Sequence, residues 1–110
     1  MGNNIVIIGF MGVGKGSLAR ELFNNYNIFA IDTDDLIESL TNKQIKEIFK
    51  KKGEIAFREL EQKCANWIEQ SVQNSLISAG GGFYKVSNIN SLGKIVLLDA
   101  SFGWIYERII

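Results

Sequence analysis

Residues 4–23 read Asn-Ile-Val-Ile-Ile-Gly-Phe-Met-Gly-Val-Gly-Lys-Gly-Ser-Leu-Ala-Arg-Glu-Leu-Phe. The order is a buried strand, a glycine-rich turn, and a helix with Leu18, Ala19, Leu22 and Phe23 on one apolar face. Gly9, Gly14 and Lys15 match the G-x-x-x-x-G-K pattern of a phosphate-binding P-loop. Glycines let the backbone curl so that successive N–H groups face an anion, and the helix start adds a positive dipole end. Gly12, Val13, Gly14, Lys15, Gly16 and Ser17 are the expected phosphate contacts. Lys15 supplies the point charge for the β- and γ-phosphates of a nucleoside triphosphate. A bare glycine turn with an exposed lysine leaves unexplained why Gly9, Gly12, Gly14 and Gly16 crowd into one turn.

The residue after the loop lysine is normally Ser or Thr, whose hydroxyl ligates Mg²⁺. Here it is Gly16, and Ser17 comes next. This Gly-Lys-Gly-Ser form resembles the loop of adenylate kinases. Magnesium is expected to be held through water rather than by Ser17 directly, with Ser17 on a phosphate.

Outward from the loop, strand-like runs occur at 4–8, 28–31, 75–79 and 94–99, apolar and largely non-alternating, as in strands buried on both faces. Helical patterns lie between them. Thr41 with Gln44 reads as a capping box opening a helix over 44–51, with Ile45, Ile48 and Phe49 inward. Gly53 separates it from a longer helix over 54–72. Alternating strand and helix predict an α/β three-layer sandwich on a parallel sheet, in one domain over 1–110. Ligands of such sheets bind at the carboxyl ends of the strands. The loop at 9–17, the acids at 32–35 and the glycines at 80–82 all fall there.

The second strand runs into Asp32-Thr33-Asp34-Asp35. Helix capping accounts for one of these residues. Paired acids also suit metal and hydroxyl chemistry, so Asp32 is the candidate for water-mediated Mg²⁺ and Asp34 for a substrate hydroxyl. Asp35 reads as a first-turn acid. Gly80-Gly81-Gly82 exceeds what a turn needs and favours close approach of a ligand to the backbone. Arg58 reads from spacing alone as an ordinary i, i+4 partner of Glu54, with Glu61 and Gln62 near it. Phe49 and Phe57 read first as core.

The 110 residues carry no net charge, which removes any bulk attraction to nucleic acid or anionic membrane. The lone Cys64 excludes an internal disulfide and, beside Leu60, Trp67 and Ile68 at helical spacing, reads as a buried thiol in a reducing cytoplasm. There is no histidine, so no ordinary zinc site is expected. No secretory signal or membrane-length apolar run is expected from the sequence.

Together these residues resemble the shikimate kinase family, within the nucleoside-monophosphate-kinase-like P-loop fold. The stretches are Gly-Phe-Met-Gly-Val-Gly-Lys-Gly-Ser at 9–17, Ile-Asp-Thr-Asp-Asp-Leu-Ile-Glu at 31–38, the helical segment 48–61, and Ser-Ala-Gly-Gly-Gly-Phe at 78–83. The resemblance implies transfer of the ATP γ-phosphoryl group to the 3-hydroxyl of shikimate, with Mg²⁺, on the way to chorismate. It implies that Lys15 serves the phosphates and that Asp34 orients the acceptor hydroxyl. Arg58 would pair with the shikimate carboxylate, positioned by Glu61. Gly80, Gly81 and Gly82 would line the pocket, and Phe49 and Phe57 would form its apolar wall.

The family continues beyond a helix beginning near Phe102 with an arginine-bearing lid, a last strand and a second substrate arginine. This chain has Arg108-Ile109-Ile110 at that point and no proline anywhere. Low activity and an uncovered sheet edge near the strand from Lys94, open to self-association, are therefore expected of a normally monomeric fold. Other readings are a different small-molecule kinase, such as a gluconate or nucleotide kinase, and a non-catalytic nucleotide-binding fragment.

Overall fold

Ile5, Val6, Ile7 and Ile8 alternate across a strand and feed two different cores. Val6 faces a large cluster with Ile37, Phe57, Ala65, Ile68, Ile77 and Phe83. Ile7 faces a smaller one with Leu18 and Leu76, backed by Ala19, Leu22 and Ile28. A strand apolar on both faces must lie between two helical layers. The computed structural model, which describes residues 3–9 and 15–98, has that arrangement.

The elements run β1 (Asn4–Gly9), α1 (Lys15–Tyr26), β2 (Ala30–Asp32), α2 (Thr33–Thr41), α3 (Ile45–Ser71), β3 (Leu76–Ser78), a 3-10 turn (Phe83–Lys85), α4 (Ile89–Leu92) and β4 (Gly93–Leu98). The four strands form one parallel sheet in the order β2-β3-β1-β4. This is the α/β sandwich expected of a P-loop kinase. Asn4, at the start of the central β1, is buried. Its amide donates to Val72 O at 3.0 Å and Leu92 O at 2.9 Å, and its oxygen accepts from Ser75 N at 3.1 Å. One side chain thus ties the ends of α3 and α4 to the sheet. No helix among the described residues is long and apolar enough to cross a membrane.

Three local expectations are corrected. The second strand is Ala30–Asp32 rather than 28–31. Asn27 is left-handed (φ 57°) and closes α1, with its N–H on Phe23 O; the Ile28 N–H goes to Leu22 O. Ile28 is therefore spent on helix closure and on the α1 core. Residues 30 and 32 are exposed, so β2 is an edge strand rather than one buried on both faces. The capping box does not involve Thr41. Thr41 stays in α2, its hydroxyl donating to Ile37 O at 2.8 Å, and Asn42 ends that helix in the left-handed region (φ 54°). Gln44 is the N-cap of α3, and its N–H donates to Glu47 Oε1 at 3.4 Å.

Gly53 breaks α3 as expected: its φ of 87° and ψ of 173° lie outside helical space, in a region side chains rarely adopt. The remaining strands are trimmed or shifted by one residue, to 76–78 and 93–98. Asp99 and the helix expected near Phe102 lie outside the described residues. Among the described residues the sheet has two edges, β2 as well as β4.

Candidate active site

The register Asp32↔Ser78 brings the ends of β2 and β3 side by side. The residues just beyond the two strand ends are therefore held close to one another. Asp32 is the N-cap of α2, its Oδ1 accepting from Asp35 N at 2.9 Å. Thr33, fully buried, accepts from Gly80 N at 2.9 Å through its hydroxyl. This bond fixes the first glycine of the triplet to the first turn of α2. Asp34 then lies directly against Gly80, where a Cβ would sit 2.6 Å from the carboxylate carbon. Only glycine admits so close an approach.

Arg58 comes to the same turn from α3. It rides on α3 beyond the Gly53 break. A Cβ on Gly82 would sit 2.6 Å from its guanidinium carbon, whereas a Cβ on Gly81 would meet nothing within 4 Å. The guanidinium lies 5.4 Å from the Phe57 ring centre and 6.0 Å from that of Phe49, within cation–π range. The two rings are 4.9 Å apart. Phe57 is buried, and Phe49 is 36% exposed at the rim. Arg58 Nη1 donates to Glu61 Oε1 at 2.6 Å, and its Nε donates to Glu54 Oε2 at 3.4 Å. The surface pair read from spacing is therefore real. The shorter bond goes to Glu61, which is 1% exposed. The hydrogen bond that Arg58 donates to Glu61 holds the Arg58 pKa above its ordinary value and keeps the group ionised.

Asp34, Gly80, Gly82, Arg58, Phe49 and Phe57, each singled out in the sequence, thus meet at one place. Asp32 is exposed nearby. Among the described residues no cluster of three or more Asp, Glu, His or Cys could hold a metal ion. An exposed carboxylate acting through water remains compatible with Mg²⁺, which keeps several waters and takes one or two carboxylates beside substrate phosphates. Asp35 has its pKa raised, first by the charge of Asp32, then by burial and Glu38.

Gly12, Val13 and Gly14 lie outside the described residues. Lys15 and Gly16 open α1. Ser17 is exposed, its Oγ accepting from Arg20 Nη2 at 3.4 Å. Cys64 is buried, and its thiol pKa is pushed up to about 11, first by burial and then by Glu61 and Asp34. It is no nucleophile at neutral pH. Thr33 was legible only as a capping type; its burial between two acids is a tertiary fact.

The family model for shikimate kinase matches residues 11–110. The chain is 47% identical over 111 residues to a shikimate kinase of Clostridium botulinum, covering 97% of this chain and 65% of that one. It is 41% identical over 106 residues to that of Helicobacter hepaticus, covering 96% and 64%. It therefore spans just under two thirds of these relatives' length. Among solved structures, shikimate kinase from Bacteroides thetaiotaomicron superposes with a TM-score of 0.79 at 34% identity, over 88% of this chain and 57% of that one. The Acinetobacter baumannii enzyme, solved in complex with shikimate, gives 0.77 at 30% identity, over 88% and 56%. Sequence match, parallel-sheet fold and superposition agree, and the chain belongs to the shikimate kinase family.

Proposed function

We propose that residues 1–110 form a P-loop kinase core that transfers the ATP γ-phosphoryl group to the 3-hydroxyl of shikimate. The observation that carries this reading is that Asp34 and Arg58 lie against one glycine turn, at Gly80 and Gly82 respectively. The two groups suit the two ends of a small polyhydroxy acid. Arg58, backed by two aromatic rings and anchored by Glu61, offers a fixed cation to a carboxylate. Asp34 offers an acceptor to a ring hydroxyl and orients it for attack. Phe49 and Phe57 give the ring an apolar wall. The bare backbone at Gly80–Gly82 leaves room for the ligand to lie against it.

Lys15 and the loop from Gly12 to Ser17 would hold the nucleotide phosphates, as the motif requires. Mg²⁺, held by Asp32 through water, would neutralise charge on the phosphates. Catalysis of this kind is chiefly positioning and charge stabilisation, which matches a site made of one anchored cation and one hydroxyl acceptor. The unpaired, buried Cys64 supports the expectation of a reducing, cytoplasmic setting.

The test is ADP formation from Mg-ATP with and without shikimate, with the phosphorylated product read by phosphorus NMR. Shikimate-dependent ADP formation that Lys15→Ala abolishes is the expected result. ADP formation that shikimate does not stimulate would contradict the reading.

A further inference from the structure

Gln62 stands one helical turn beyond Arg58 on α3. Its side-chain oxygen accepts from Ser87 N at 2.9 Å. Its amide nitrogen donates to Asn88 Oδ1 at 2.9 Å and to Asn66 Oδ1 at 2.9 Å. Asn88 in turn donates to Glu69 Oε1 at 2.7 Å and to Asn66 Oδ1 at 3.3 Å. Successive turns of α3 therefore grip the two residues 87 and 88.

Little slack lies between this grip and the glycine triplet. Phe83 N donates to Gly80 O, Lys85 N to Gly82 O, Val86 N to Phe83 O and Ile89 N to Val86 O. Phe83 is fully buried and Val86 nearly so. The segment from Gly80 to Ile89 is a run of tight turns linked by these short-range hydrogen bonds. It is held at its beginning by Thr33 and at its far end by Gln62. Gly82 sits between these two anchors, against the Arg58 guanidinium.

We infer that Gln62 is a positioning residue for the acceptor site. It sets the spacing between the Gly80–Gly82 backbone and Arg58 by tying the segment after the triplet to the helix that carries Arg58. The link to shikimate rests on the acceptor-site reading above; the link to backbone geometry does not. Gln62→Leu removes both the acceptor and the donors at a half-buried position. Gln62→Glu keeps the acceptor for Ser87 N–H.

The experiment has two readouts on the 110-residue chain. One is amide hydrogen exchange at Gly80, Phe83 and Ser87, whose N–H groups donate to Thr33 Oγ1, Gly80 O and Gln62 Oε1. The other is calorimetric affinity for shikimate and, separately, for Mg-ADP. In Gln62→Leu, exchange at Gly80 and Phe83 should quicken and shikimate affinity should fall about five- to tenfold each, the scale of one lost hydrogen bond, with Mg-ADP affinity unchanged. Gln62→Glu should recover most of both. Unchanged exchange at Gly80 and Phe83, or Mg-ADP affinity falling in step with shikimate affinity, would overturn the inference. A parent chain that binds no shikimate, while exchange at Gly80 and Phe83 still responds to Gln62→Leu, would refute the acceptor-site reading and uphold the positioning role.

Discussion

Arg58 Nη1 donates to Glu61 Oε1 across 2.6 Å, from a side chain 31% exposed to one that is 1% exposed. The pair is lopsided. A buried carboxylate holds a cation whose other face stays open to a ligand. Burying the carboxylate costs desolvation, which the bond to Arg58 offsets only in part. Its worth is therefore expected in ligand binding more than in folding. Glu61→Gln should weaken shikimate binding about tenfold, by loosening a charge-assisted bond. It should change the free energy of unfolding in urea by less than the affinity loss. Unchanged shikimate affinity in this variant would show that Arg58 needs no anchor.

The glycine triplet separates into three different expectations. Gly82→Ala pushes the Arg58 guanidinium aside, the far end of a flexible side chain, so the fold should survive while shikimate affinity falls about tenfold or more. Gly80→Ala meets the short Asp34 side chain, which has less room to yield, and should cost stability as well. Gly81→Ala meets nothing within 4 Å and should leave the melting temperature of the free chain unchanged. Three single variants, each with one thermal melt and one titration, check this order. Equal effects at all three would contradict it.

Thr33 holds Gly80 N through a buried hydroxyl. Thr33→Val keeps the shape and removes the acceptor. Leaving that N–H without its partner should cost about 1–2 kcal/mol in urea unfolding. Thr33→Ser, which keeps the hydroxyl, should cost less than Thr33→Val. A valine variant as stable as the parent would mean that Gly80 N finds another partner.

The Cys64 thiol has a pKa raised from 9.0 to about 11 by burial. Its folded value exceeds its unfolded one, so below pH 9 the thiol is protonated in both states and contributes no pH dependence. As pH rises above 9 the unfolded thiol ionises first, and stability is lost progressively up to about 11. Cys64→Ala should remove that alkaline component of the unfolding curve. Thiol labelling at pH 8 should be slow in the native chain and fast in urea. Rapid native labelling would contradict the buried assignment.

Much of the architecture was legible because it rests on local rules. Ile5–Ile8 demanded two helical layers, and Asp32–Asp35 and Gly80–Gly82 each announced a strand's carboxyl end. Arg58 was not legible from spacing. Glu54 at i−4 does pair with it, at 3.4 Å, and hides the tighter bond to Glu61 and the approach to Gly82. That approach joins two segments far apart in the chain. The start of β2 was misplaced because an apolar Ile28 looks like strand, while its N–H is used by the end of α1. Thr41 and Gln44 had capping-box spacing, but the Thr41 hydroxyl turned back onto its own helix. For Ile28 and Thr41 a local hydrogen bond at a helix end displaced the one that pattern suggested; for Arg58 the deciding approach, to Gly82, is tertiary.

Asp34 against Gly80 and Arg58 against Gly82 are proposed to form the acceptor site. The most direct measurement is a calorimetric titration of shikimate into the chain with Mg-ADP present, repeated on Asp34→Asn. The account predicts saturable binding that the substitution abolishes. No shikimate binding in a chain that binds Mg-ADP, or equal binding by Asp34→Asn, would contradict it.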